Sequence, residues 1–99
     1  MRKYHVYIMA SQRNGTLYIG ITGNIKQRVQ QHKDHAFEGF TDTHNVTHLV
    51  WLEEFQDVND ALLAEKRLKT WKRKWKLRLI EEKNPDWLDL AEDEGFKYL

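Results

Sequence analysis

Five side chains in this sequence combine reactive chemistry with informative spacing: Tyr7, Tyr18, Arg28, His32 and Glu65. Tyr7 and Tyr18 fall in two strand-like runs and share a face by strand alternation, opposite the aliphatic residues. Two phenols on one face form either a polar site or ordinary cross-strand packing. Arg28 and His32 are four residues apart on a helix, beside the apolar stripe marked by Ile25 and Val29. A cation turned toward a sheet needs a phosphate or another anion, because an unpaired buried charge is expensive. A carboxylate elsewhere in the fold satisfies Arg28 equally well. Glu65 lies about 40° beyond the edge of a helical apolar stripe, at the boundary between core and solvent. It forms either an i,i+4 ion pair with Lys69, worth about 0.3–0.5 kcal/mol, or the single carboxylate that a largely hydrated Mg²⁺ requires. His32 and His35 offer the alternative of a zinc site, but His-x-x-His spacing alone specifies little.

The elements that must position these groups follow from local pattern. Tyr4–Ala10 reads as a strand, rich in valine, isoleucine and tyrosine, and Asn14-Gly15 is a hairpin signal. A two-residue turn there pairs Arg13 with Thr16 and Tyr7 with Thr22. A longer loop that shifts the register by an even count keeps both tyrosines on one face and brings them closer. Thr16–Thr22 is the second strand, and Asn24 caps a helix over Ile25–Lys33. His35–His48 reads as a polar loop and Thr47–Phe55 as a third strand. Asn59 or Asp60 caps a further helix, in which Ala61, Ala64, Leu68, Trp71 and Trp75 recur at helical spacing as a core-facing stripe. Asn84-Pro85 ends the last helix, Asp86–Leu90 adds a short helical turn, and an acidic tail follows.

Composition narrows the classes of function. Ninety-nine residues suit one domain (1–99, with its core at about 4–90 and a tail at 91–99), and 40% hydrophobic content builds one modest core. With no cysteine there is no disulfide framework and no cysteine-based metal site. No apolar run approaches membrane-spanning length, so the expectation is a cytoplasmic protein without a membrane partner. The net charge of +1 conceals an asymmetry: Lys66–Arg78 holds eight basic residues and no acid, whereas seven acids and two lysines follow from Glu81. A basic block containing tryptophans resembles a phosphate-contacting surface, with Lys66, Lys69, Lys72, Arg73 and Lys76 as candidate nucleic-acid contacts. A solvated helix face is the plainer account of the same charges.

Taken together, Tyr7, Tyr18-Ile19-Gly20, Arg28, His32 and Glu65 resemble the GIY-YIG nuclease superfamily. The nearest resemblance is to small stand-alone bacterial members similar to the N-terminal nuclease domain of excision-repair endonucleases. The first signature reads His5-Val6-Tyr7 here, the second is intact, and Asn84-Pro85-Asp86-Trp87 looks like the tail of the stand-alone subgroup. His44 stands where relatives often carry tyrosine.

The resemblance implies an α+β fold: a three-stranded antiparallel sheet flanked by helices in the order ββαβαα, with a helix break near Lys72. It also implies a divalent-metal-dependent endonuclease acting on DNA in repair or recombination, with RNA left open, as a monomer or weak dimer. Glu65 would hold Mg²⁺ or Mn²⁺ and Arg28 would stabilise phosphoryl charge. Tyr7 would be the general base or position the water, with Arg28 and the metal easing its deprotonation. Tyr18 would complete the hydrogen bonding, His32 would orient a tyrosine or share the proton transfer, and Gly20 would permit close approach. The main rival is a non-catalytic nucleic-acid-binding module on the same fold. A weaker one is a protein-interaction domain using the tryptophans of the basic helix.

Overall fold

The computed structural model describes residues 3–34 and 44–91. Three strands, β1 (Tyr4–Ala10), β2 (Leu17–Thr22) and β3 (His48–Phe55), form one antiparallel sheet in the order β2-β1-β3. Three helices among the described residues, α1 (Ile25–Lys33), α2 (Val58–Thr70) and α3 (Arg73–Lys83), complete the expected ββαβαα order.

Central strand β1 is covered on both faces, and Val6 to Ala10 are fully buried. Val6, Ile8 and Ala10 join Ile19, Ala61, Leu68 and Ile80 in one apolar cluster under α2 and α3. Tyr7 and Met9 join Ile25, Val29, Val46 and Leu49 in a second cluster under α1. A β-bulge reconciles β3 with this division. Ile8 pairs with Trp51 but Met9 with Leu49, so Val50 is the extra residue. Val50 and Trp51 therefore enter the same cluster although they are consecutive.

The β1–β2 connection is longer than a two-residue turn. Ala10 pairs with Leu17, Met9 with Tyr18 and Tyr7 with Gly20, a slide of two from the pairing that the Asn14-Gly15 turn predicts. The Ser11 amide donates to the Thr16 carbonyl (3.0 Å), Ser11 Oγ accepts from the Thr16 amide (3.0 Å), and a Gln12–Gly15 turn closes the tip. These bonds stop the ladder at Ala10. An even slide preserves every side-chain face, so Tyr7 and Tyr18 stay together.

Local chemistry sets the helix ends. Asn24 Oδ1 accepts from the Gln27 amide (3.2 Å), as a cap at that position predicts. For α2 the cap is Asp57, not Asn59 or Asp60: its carboxylate accepts from the Asn59 amide (2.7 Å) and the helix begins at Val58. Trp71 and Lys72 adopt extended backbone between α2 and α3, the expected break. The turn brings Ile80 of α3 back onto the sheet. The apolar stripe accordingly stops at Leu68, and Trp71 and Trp75, expected in the core, are 41% and 48% exposed. Beyond α3, residues 86–90 are not helical. Asn84, 4% exposed, instead donates from Nδ2 to the carbonyls of Val50 (3.1 Å) and Leu88 (2.9 Å), and its Oδ1 accepts from the Leu88 amide (2.9 Å). The acidic segment 92–99 and His35 lie outside the described residues.

Candidate active site

The five reactive side chains come from four elements, each held for a reason visible in the sheet or the caps. Tyr7 points from the centre of β1 into the α1 side and is fully buried. Its cross-strand partner is Gly20, and a Cβ added there would lie 2.4 Å from Tyr7 Oη and 2.5 Å from its Cζ. The glycine of the Tyr18-Ile19-Gly20 signature therefore makes room for the Tyr7 ring; the close approach expected at Gly20 is that of a phenol. Tyr18, diagonal to Tyr7, places its ring centroid 6.3 Å from that of Tyr7.

From the facing helix, His32 is 2% exposed, and its Nε2 lies 3.0 Å from Tyr7 Oη. Its ring also meets Tyr18 at 5.1 Å between centroids. Arg28, one turn earlier on α1, hydrogen-bonds the Tyr7 hydroxyl and acts electrostatically on His32. A guanidinium only donates, so the Tyr7 oxygen accepts from Arg28. The Tyr7 hydroxyl and His32 Nε2 share a hydrogen bond whose direction depends on the imidazole tautomer. The orientation inferred from the Ile25–Val29 stripe is the one observed: both groups face the tyrosines.

Glu65 reaches the same constellation from α2 and acts electrostatically on Tyr7. Its side chain is 14% exposed and pairs with Lys69 (3.3 Å). The ion pair with Lys69 forms, and the carboxylate also acts electrostatically on Tyr7. Tyr18, Lys69 and Lys76, with Leu17 and Ile19, line a surface cavity of about 250 Å³. Two of the basic candidates thus adjoin the tyrosine cluster. Lys66 and Lys72 are solvent-exposed. Arg73, also exposed, donates from Nη2 to the carbonyls of Asn14 (2.7 Å) and Gly15 (2.6 Å), pinning the hairpin tip to α3.

Burial dominates the electrostatics. Desolvation, then the nearby Arg28 charge, lowers His32 to about 4, so the imidazole is neutral at pH 7. Desolvation also raises Tyr7 well above the ordinary phenol range; Tyr18 and Glu65 add to the rise and Arg28 opposes it. The expectation that Arg28 eases deprotonation of Tyr7 is right in direction, but burial outweighs it. The unit is a neutral phenol–imidazole pair beside one guanidinium and one carboxylate.

A single carboxylate fits a hard divalent cation that keeps most of its water, and Glu65 is the donor that would hold it. Among the described residues no group of three or more His, Asp or Glu side chains is placed to hold a metal, and the His32/His35 zinc alternative falls partly outside them. No helix among the described residues is long and apolar enough to cross a membrane.

The family model described as the GIY-YIG catalytic domain matches residues 3–78. The chain belongs to the GIY-YIG family. That span includes both tyrosines, Arg28, His32, Glu65 and the start of α3. Among its relatives, UPF0213 protein SH2523 of Staphylococcus haemolyticus is 35% identical over 83 residues, covering 84% of this chain and all of the relative. A UPF0213 protein of Staphylococcus aureus is 34% identical over the same coverage. The solution NMR structure of UPF0213 protein BH0048 from Bacillus halodurans matches 90% of this chain and 94% of its own. With a TM-score of 0.57 and 22% identity, it supports the fold alone. GIY-YIG membership makes this a nuclease-family domain with nucleic acid as the expected substrate.

The sequence left two positioning residues unassigned. Asn84 was visible only as a helix stop; its buried amide requires knowledge of the β3 bulge. Asp89 accepts from Lys33 and from the Leu49 amide (3.2 Å), tying the C-terminal segment to α1 and β3, and it carries no local signal.

Proposed function

We propose that this domain is an endonuclease that hydrolyses phosphodiester bonds in DNA with Mg²⁺ or Mn²⁺ as cofactor. The observation that carries the reading is the convergence of Arg28 and His32 from α1 with Tyr7 from β1 at one buried point beside Tyr18, within electrostatic reach of Glu65 from α2. A structural ion pair would need only Arg28 and one carboxylate. It would not need a neutral imidazole bonded to a fully buried phenol.

In this reading Arg28 binds the scissile phosphate and stabilises the charge that develops on its oxygens. Glu65 would hold the divalent ion, which when bound would supply Lewis-acid stabilisation of the phosphoryl group and leaving oxygen. Tyr7 and His32 form a proton relay. Tyr7 Oη would take a proton from the attacking water as its own passes to His32 Nε2, and the phosphate bound to Arg28 would offset the charge that burial and Arg28 otherwise keep off the imidazole. Tyr18, at the cavity wall, orients water and phosphate, while Lys69 and Lys76 hold the flanking backbone.

Glu65→Gln tests the proposal, since it removes the charge with little change of shape. Supercoiled plasmid should be nicked by the wild type with Mn²⁺ or Mg²⁺ present. The variant should lose several orders of magnitude in rate yet bind DNA normally. If the wild type binds DNA but cuts no supercoiled, single-stranded or branched substrate, and Glu65→Gln changes nothing, the domain is a binding module. In that event Glu65 serves only its ion pair with Lys69.

A further inference from the structure

On the side of α2 that carries Ala64 and Leu68 lies a second feature that the proposed chemistry does not use. Trp51, Leu68, Trp71 and Leu79 line an open cleft of about 200 Å³, with Arg67 and Glu53 also lining it. Trp51 is 3% exposed, and its Nε1–H has no hydrogen-bond partner among the described residues. That Nε1 atom is itself enclosed, so Trp51 contributes to the cleft through its ring and not through its donor. Trp71 and Trp75 expose 41% and 48% of their surface. Lys74 Nζ and Arg78 Cζ stand 5.8 Å and 5.9 Å from the centre of the Trp75 ring.

Exposed indoles are costly in water, and here they stand within a run of eight basic residues that contains no acid. An apolar peptide would match the indoles but leave the cations without partners. A planar aromatic group on an anionic backbone satisfies both. We propose that this cleft holds one unpaired nucleobase, stacked on Trp71, while the surrounding Lys and Arg side chains follow the phosphates of the same strand. The edge of the base would meet Arg67 as donor and Glu53 as acceptor, the groups that read carbonyls and amino groups.

The inference deepens the nucleic-acid reading and rests on it. Ala64 of the cleft adjoins Glu65 on α2, so the stacked base belongs to a nucleotide near the scissile one on the same strand. A base inside an intact duplex cannot reach the cleft. The substrate class is DNA with an unpaired segment: a single strand, gap, flap or bubble.

The test is fluorescence anisotropy, in EDTA so that nothing is cut, with one labelled oligonucleotide presented as a single strand and as a blunt duplex. The wild type should favour the single strand. Trp71→Ala should weaken single-strand binding by about 5- to 100-fold, the range for loss of one base–aromatic stack, and leave duplex binding nearly unchanged. Trp71→Phe should restore most of the affinity. Trp71 is exposed, and circular dichroism checks that the fold persists. Equal weakening of single strand and duplex, or no weakening, overturns the proposal. So does a dimer that Trp71→Ala dissolves without changing single-strand affinity, which would make a second copy of the chain the occupant. Plasmid nicking by the same variants separates the two readings: cleavage with unaltered Trp71 variants sinks only the cleft. Trp71-dependent binding without any cleavage sinks only the nuclease.

Discussion

Acidification should destabilise this protein through His32, and the structure sets the size of the effect. The imidazole is lowered to about 4 in the folded chain, against 6.5 for an unhindered histidine. Between these values the unfolded chain binds a proton that the folded chain refuses. The stabilising contribution is therefore complete above pH 6.5 and is lost as the pH falls toward 4. With 1.36 kcal/mol per unit, the loss reaches about 2 kcal/mol at pH 5 and about 3 kcal/mol at pH 4. His32 is 2% exposed, so solvent screening removes little of this. For a domain of this size that is a large share of a stability of roughly 5–10 kcal/mol. Urea titrations at pH 7 and pH 5 give the wild-type difference, which includes every other titrating group. His32→Gln retains an amide that can bond Tyr7 but does not titrate, so the variant should lose about 2 kcal/mol less between the two pH values. It will start from a lower stability, and only the difference between pH values is diagnostic. Identical pH dependence in wild type and variant would mean that His32 is not a buried neutral partner of Tyr7. The relay assigned to that pair would then have no basis.

The remaining expectations concern packing and grip. Gly20→Ala puts a methyl group 2.4 Å from Tyr7 Oη; a loss of about 1–3 kcal/mol by thermal or urea melting is expected, with cleavage falling as Tyr7 is displaced. Asn84→Ala leaves the Val50 and Leu88 carbonyls without their amide donor and should cost about 1–3 kcal/mol while catalysis in the surviving folded fraction is normal. Charge reversal at Lys69 and Lys76, which flank Tyr18, should weaken DNA binding for every sequence alike and flatten its salt dependence by about one to two phosphate contacts. Arg73→Ala should instead lower stability by about 1 kcal/mol, because its donors hold the hairpin tip rather than a phosphate.

Much of the fold was legible because local and tertiary signals agree. Asn24, the alternating β1 and β2 runs and the Asn84-Pro85 stop each specify their element with chemistry internal to a few residues. Tyr7 and Tyr18 could be placed together without knowing the loop, since any even register leaves their faces unchanged. Arg28 and His32 could be aimed from helical spacing alone. What stayed hidden depended on groups distant in sequence. Trp71 and Trp75 continue the spacing of the α2 stripe, but the helix ends between Thr70 and Arg73 with neither glycine nor proline to mark it. Asp57 wins the cap because the chain leaves β3 directly into α2. The rise in the Tyr7 pKa follows from burial on both faces of β1, which no pairwise count of nearby cations could reveal.

The interlocking of Tyr7 with Gly20 has a bearing on how such domains change over evolutionary time. Both residues belong to the folded interior, so drift at either is penalised by loss of the protein itself, whether or not the chemistry is still selected. Arg28 and Glu65 sit at the margin, only partly buried, and can be exchanged at modest cost in stability. A lineage that abandons cleavage should therefore shed its arginine or glutamate first and carry the two tyrosine signatures onward as architectural fossils. For sorting active from inactive relatives, the marginal pair is the informative one, and this chain retains both.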